Sequence, residues 1–257
     1  MLQEALNRLV EWATQWQLEV SIEKCFILNI CNIANSAALS ARYYINEHEL
    51  PVVEFCRDLG VTMSNDLSPR LHINAVVLKA QQRANVILRS FVSRDVALLL
   101  QAFIVYVRPL LEYNSVVWTP VLKCDIECVE RVQRSFTKRL PGLHNLTYVE
   151  RLNKLNLITL ELRRVHIDLL WCYRIVFGLC CLKFNDFFVI SPSNVTRGHP
   201  YKLFKQRCSG GPRNNFFTNR IVNIWNSLPY DTVDFSSLNA FKRSIENVDF
   251  SAFVHVK

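Results

Sequence analysis

The sequence predicts an α+β chain that is predominantly helical. Three observations carry that expectation. Strand-like patterning is concentrated in the first 69 residues, where short apolar runs alternate in part with polar ones. From residue 70 onward the apolar positions recur at steps of three and four, the spacing of one helix face. The composition, half hydrophobic with only six glycines in 257 residues, suits a chain that buries a core and has few flexible linkers. Boundaries are drawn near 69 and near 142, giving segments 1–69, 70–142 and 143–257, with a basic, loop-rich stretch at 185–220 in the last.

Taken in order, Gln3–Gln17 reads as a helix, with Leu2, Ala5, Leu6, Leu9, Ala13 and Trp16 on one stripe. Glu19–Ile30 turns β-like through Val20, Ile22, Phe26, Leu28 and Ile30. Tyr43–Ile45 and Val52–Val61 read as further short strands, punctuated by Pro51 and Gly60. Ile73, Val77, Ala80, Ala84, Ile87 and Phe91 mark a long helix from Leu71. Asp95 to about Val107 is a second, strongly apolar helix that Pro109 interrupts. A third is expected near Asp125–Leu140, stopped by Pro141 and Gly142. Thr147 with Glu150 three residues on has the form of a capping box. Ile158–Gly178 is another long helix, Tyr201–Phe204 a short strand, Gly210–Pro212 a turn, and Thr218–Leu228 and Ser236–Val248 the closing helices.

Net charge is +8 but uneven: −5 in residues 1–69, +4 in 70–120, +4 in 121–174 and +6 in 197–220. A basic remainder on an acidic start suggests a surface for a polyanion. Several of the nine cysteines, Cys25, Cys56, Cys172, Cys180 and Cys181, sit among apolar neighbours and are expected as buried free thiols in a reducing compartment. Cys124 and Cys128 share a helical spacing, but no second Cys or His pair stands at zinc-site distance, so no metal is expected. No secretory leader opens the chain, and the apolar stretches Val96–Val107 and Ile167–Leu182 are respectively too short and interrupted by Asp168 and Arg174. The expected location is therefore intracellular, cytoplasmic or nuclear, not secreted and not in a membrane.

Five segments carry a resemblance. They are L-Q-E-A-L-N-R-L-V-E-W-A-T-Q-W-Q-L-E-V-S-I-E-K-C-F-I-L-N-I (2–30), R-D-L-G-V-T-M-S-N-D-L-S (57–68), V-R-P-L-L-E-Y (107–113), E-R-V-Q-R-S-F-T-K-R-L (130–140) and W-N-S-L-P (225–229). In this order they resemble the part of a non-LTR (LINE-type, jockey-like) retrotransposon reverse transcriptase that follows its catalytic aspartate pair. The resemblance implies the closing part of a polymerase palm over 1–69, with partial β-hairpins, then a helical thumb over 70–142 and a helical C-terminal region over 143–257. It also implies RNA or DNA backbone as partner, and the palm and fingers of a complete polymerase as a further one. The complete enzyme of this family uses Mg2+ held by adjacent aspartates. No adjacent acidic pair occurs in this chain, so it is expected to hold no cofactor, to take no small-molecule substrate and not to polymerise alone.

The resemblance places Lys24 near the incoming nucleotide, as an acid for the leaving group. The family has Asn three residues earlier, where this chain has Ser21. The alternative is a strand-edge lysine facing solvent. Leu59 and Gly60 match the hairpin that grips a primer strand; Gly60 would admit a sugar-phosphate backbone closely, or simply turn the hairpin. Lys79, Arg83 and Arg89 lie off the apolar stripe of the helix from Leu71 and would meet phosphates or water. Arg131, Arg134, Lys138 and Arg139 form a second basic run, in which Glu127 and Glu130 pair with Arg131 and Arg134, leaving Lys138 and Arg139 for nucleic acid. The third run, Arg197 to Arg220, offers Lys202, Lys205 and Arg207 among Tyr201, Phe204, Phe216 and Phe217, where rings stack on bases or anchor a loop. Trp118, Trp171 and Trp225 are expected in the core.

Two readings stand beside nucleic-acid binding. In one the chain is a domesticated helical interaction module whose basic charge is incidental. In the other it is a pseudogene product whose unpaired strand edges prevent stable folding.

Overall fold

The computed structural model describes residues 2–30, 41–192, 198–208 and 211–256. The chain is α+β and predominantly α: of the described residues 55% are helical and 8% are strand. It divides into two compact units, Met1–His72 and Ile73–Lys257.

Unit 1 begins with α1 (Leu2–Gln15), followed by a 3-10 turn at Ile22–Lys24. Its strands are short: β1 (Ile27–Leu28), β2 (Tyr44–Ile45), β3 (His48–Glu49), β4 (Val52–Val53), β5 (Phe55–Asp58) and β6 (Val61–Ser64). They form three separate pairs, β1 with β4 parallel, β2 with β3 antiparallel and β5 with β6 antiparallel. The Gln3 side-chain amide donates to the Tyr44 carbonyl at 2.8 Å and accepts from the Tyr44 N–H at 2.9 Å, so α1 satisfies a backbone edge that β2 would otherwise present to water. Two expectations are corrected here. The β-like run Glu19–Ile30 yields strand only at Ile27–Leu28, because the 3-10 turn interrupts the alternation. The apolar stripe of α1 is mostly uncovered: only Ala13 is buried, while Leu2, Leu9, Trp12 and Trp16 are about half exposed or more.

The long helix α2 (Arg70–Ser90) has Ile73, Val77, Ala80, Ala84 and Ile87 buried, the stripe its 3-4 spacing prescribes. Asp95 caps α3 (Val96–Tyr106), accepting from the amides of Ala97 and Leu98. Val107 separates α3 from α4 (Arg108–Glu112), in which Pro109 takes a first-turn position that needs no donor. After α5 (Ser115–Trp118) come α6 (Lys123–Lys138) and α7 (Tyr148–Leu155), the latter opened by the Thr147–Glu150 capping box. The helix α8 (Leu160–Val176) is capped by Thr159. The short α9 (Phe184–Phe187), α10 (Phe217–Asn226) and α11 (Leu238–Ser244) complete the unit. Tyr201–Phe204 forms only an isolated bridge, Ile190 to Leu203, rather than a strand. Gly210 and Arg197 lie outside the described residues.

The core of the second unit's C-terminal half gathers on α8, α10 and α11: Leu169, Tyr173, Ile221, Trp225 and Phe241 are at most 3% exposed. Trp225 is fully buried, yet its indole N–H donates to the Tyr201 carbonyl at 2.7 Å, so burial leaves no donor unmet. Trp118 is likewise buried, but Trp171 is only half-buried, with the Arg174 guanidinium 5.2 Å above its ring. Of the two adjacent phenylalanines, Phe217 enters the core and Phe216 stays exposed. Cys56 and Cys172 are buried, Cys25 and Cys180 half-buried, and Cys181, expected inside, is exposed beyond the end of α8. Among the described residues no helix is long and apolar enough to cross a membrane.

Candidate nucleic-acid interface

Charge in unit 2 sorts by depth. Among its described residues fifteen Lys and Arg are exposed against seven Asp and Glu, while the buried and half-buried groups number eight cations against six acids. The interior is nearly balanced and the excess sits in solvent, where a polyanion meets it.

The interior balance has a specific geometry. Glu130 is fully buried on α6, and its carboxylate accepts from the Leu160 N–H at 2.9 Å, from the Glu161 N–H at 3.3 Å and from the Tyr148 hydroxyl. It thereby satisfies the first amides of α8 with a negative charge at the positive end of the helix dipole. Burial raises the Glu130 pKa, and the Tyr148 hydroxyl, the α8 amides and Arg164 oppose that rise. Asp168 holds Arg220 through two contacts of 2.8 and 3.0 Å, and Arg220 donates also to the Val116 carbonyl at 2.7 Å. Burial raises Asp168 against the pull of Arg220. Glu161 accepts from the backbone amides of His255 and Val256, both at 2.8 Å, fastening the C-terminal segment to α8.

This network corrects the expected pairing on α6. Glu130 does not pair with Arg134, because the start of α8 and Tyr148 claim it; Glu127 pairs instead with Arg134, seven residues on, at 2.9 Å. Arg131 is exposed. Asp125, close in sequence to Glu127, is buried on the same helix.

The remaining basic groups expected to meet nucleic acid, all but Lys202 exposed, are not gathered. Lys79, Arg83 and Arg89 lie on the outer side of α2, a helix without a single acid. At 3.6 residues per turn Arg83 is about 40° around the axis from Lys79, whereas Gln81 and Asn85 are about 200° and 240° from it. Lys79 and Arg83 therefore occupy one flank, and Gln81 and Asn85 the other, which faces α6. There Arg139, at the end of α6, donates to the Asn85 side-chain oxygen at 2.5 Å. A shallow cleft of about 270 Å³ opens at this contact, lined by Gln81, Asn85, Ser135 and Arg139 above Ala84, Val132 and Phe136. Lys138 is exposed beside Arg139. Lys202 is half-buried next to the Ile190–Leu203 bridge, and Lys205 and Arg207 follow it in exposed loop. Sequence reasoning found Arg139 by its charge but missed Gln81, Asn85 and Ser135. They are neutral side chains on separate helices, and only the packing of α2 against α6 brings them together.

In unit 1, Lys24 closes the 3-10 turn ahead of β1, off the strand, and is exposed. Leu59 and Gly60 form the two-residue turn between β5 and β6, with Asp58 paired to Val61 across it. Both have positive φ, 44° and 85°, the pattern of a type I′ turn. Leu59 is 81% exposed at its tip.

The residues present do not fit the metal pair that the resemblance implies for a complete enzyme. The chain has no adjacent acidic pair, and among the described residues no three His, Cys, Asp or Glu side chains gather closely enough to hold an ion. Glu130, Glu161 and Asp168 are committed to helix amides, the C-terminal segment and Arg220.

No family model, no curated protein and no solved structure matches the chain.

Proposed function

We propose that this chain derives from the palm-end and thumb region of a non-LTR retrotransposon reverse transcriptase, and that it binds RNA or DNA without sequence preference and without polymerising. The observation that carries the binding is the charge sorting of unit 2, two exposed cations for each exposed acid around a nearly balanced interior. Contacts of Lys and Arg with phosphates supply affinity and release counterions, but carry no base readout. Lys79, Arg83, Arg89, Lys138, Arg139, Lys205 and Arg207 are the exposed groups assigned to it. Filter binding of residues 1–257 to an oligonucleotide, between about 50 and 200 mM salt, tests this: affinity falls steeply with salt. Replacing Lys79 and Arg83 by Gln flattens the logarithmic slope by about two if each meets one phosphate. Affinity that scarcely moves with salt overturns the reading.

One observation favours a second reading, a protein-interaction module. The face of α1 formed by Leu2, Leu9, Trp12 and Trp16 is exposed to a degree unusual for large apolar side chains on one helix. Under that reading, binding to a protein partner survives charge neutralisation of α2 and is lost on replacing Trp12 and Trp16 by Gln.

A further inference from the structure

The cleft between α2 and α6 combines one cation with three neutral hydrogen-bonding side chains and no carboxylate. Arg139 is fixed at its mouth by the Asn85 side-chain oxygen, 2.5 Å from Nη1. That single bond aims the planar fork while leaving most of its five donors for another acceptor. A helix C-terminus ordinarily repels anions through its unsatisfied carbonyls. Here two carbonyls of the last turn, those of Phe136 and Thr137, accept from the Arg139 backbone N–H, and the Arg134 carbonyl accepts from Arg151 at 3.4 Å and from the Thr137 hydroxyl at 3.2 Å. The Arg139 cation itself stands at this end of α6, where a positive charge offsets the remaining carbonyls.

At about 270 Å³ the cleft lies at the lower edge of the roughly 300–1,000 Å³ range of small-molecule sites, and it is open to solvent rather than enclosing. It suits one charged group of a longer chain. Oxygen atoms meeting a guanidinium fork, the Gln81 amide and the Ser135 hydroxyl together are those of a tetrahedral oxyanion.

We infer that this cleft seats one backbone phosphate of a bound nucleic acid, with Arg139 as the contacting cation and Asn85 as the residue that positions it. The inference deepens the nucleic-acid reading and rests on it. It also divides the basic groups: Lys79 and Arg83, on the opposite flank of α2, are not part of this subsite and act independently of it.

The experiment is a double-mutant cycle on residues 1–257, with Arg139→Gln, Asn85→Ala and the double variant binding labelled single-stranded RNA and DNA at about 50 and 200 mM salt. Melting curves of each variant establish that it is folded. Arg139→Gln weakens binding about tenfold and flattens the salt slope by about one, and Asn85→Ala weakens it about threefold. The double variant is no weaker than Arg139→Gln alone, which a merely structural role of Asn85 would not produce. Wild-type binding with an unchanged slope in Arg139→Gln, or losses that multiply in the double variant, overturn the cleft and leave the nucleic-acid reading standing. Failure of the wild type to bind either strand overturns both.

Discussion

The two units of this chain solve the same problem with unequal means. Among the described residues unit 2 buries thirty-six apolar side chains and unit 1 five. Helices satisfy their own backbone, so each amphipathic segment of unit 2 needs only a neighbour for its apolar face and a cap for its ends. Strands satisfy theirs only through other strands, and the described residues of unit 1 have them in separate pairs, four of the six only two residues long. Such pairs are marginal in water. Large side chains such as Trp16, Val52 and Phe55 stay more than half exposed as a result. The difference shows what charge does in each unit. In unit 2 buried acids hold helices together, whereas in unit 1 the acids lie on the surface of an acidic segment.

The strongest way to break this contrast is to remove the acid on which α6 and α8 converge. Glu130→Ala leaves two α8 amides and the Tyr148 hydroxyl without their acceptor and takes a negative charge from beside Arg164, which is itself buried. Removing one partner of a buried charged network costs about 3–5 kcal/mol. Urea denaturation followed by far-UV circular dichroism measures it. A loss below about 1 kcal/mol would mean that the α8 amides find other acceptors and that the network is not what joins the two helices.

Acid provides a smaller and graded test. Burial depresses His166 to about 4, with Arg163 acting in the same direction. Its ring packs edge-on to Phe250 at 5.5 Å. His199 is also depressed by burial, against the Trp225 carbonyl that its Nε2 approaches at 2.8 Å. The unfolded chain takes up these protons first, so their contribution is intact above the ordinary histidine value of 6.5 and is lost as pH falls from there toward 4. Glu130 and Asp168, both raised by burial, work in the opposite sense over part of the same range. The histidine part is isolated by comparison with His166→Gln: the melting temperature of the wild type falls relative to the variant as pH drops from 6.5. A constant difference would show that His166 protonates equally in both states.

Much of unit 2 was legible because its signals are local. Asp95, Thr147 and Thr159 stand where helices begin, and α2, α3, α8 and α10 start and end within about two residues of the expected places. The errors lie where the outcome depends on a distant partner. Glu130 was assigned to its own helix because spacing of four is visible in sequence and the N-terminus of α8 thirty residues on is not. The α1 stripe predicts a buried face, yet burial needs something to cover it. For the candidate interface, sequence shows which cations exist and which flank of α2 each occupies, but not that the Gln81 and Asn85 flank packs against α6 beside Arg139.

The smallest expected effect bears on the hairpin of unit 1. Leu59 adopts φ 44° ahead of Gly60, in a turn that favours Asn-Gly. A leucine in the left-handed region costs about 1–2 kcal/mol relative to a residue that tolerates it. Leu59→Asn therefore stabilises the hairpin by about 1 kcal/mol, read as a higher urea midpoint with an unchanged slope. The same variant separates the two meanings of the motif. A side chain 81% exposed contributes little to packing, so its removal leaves the turn intact. If Leu59 serves only as a turn residue, the variant gains stability and binds nucleic acid as the wild type does. If its methyl groups rest against a strand, as the resemblance to a primer-gripping hairpin implies, stability rises while affinity falls. Strain kept at an exposed apolar tip would then be maintained by function rather than by folding.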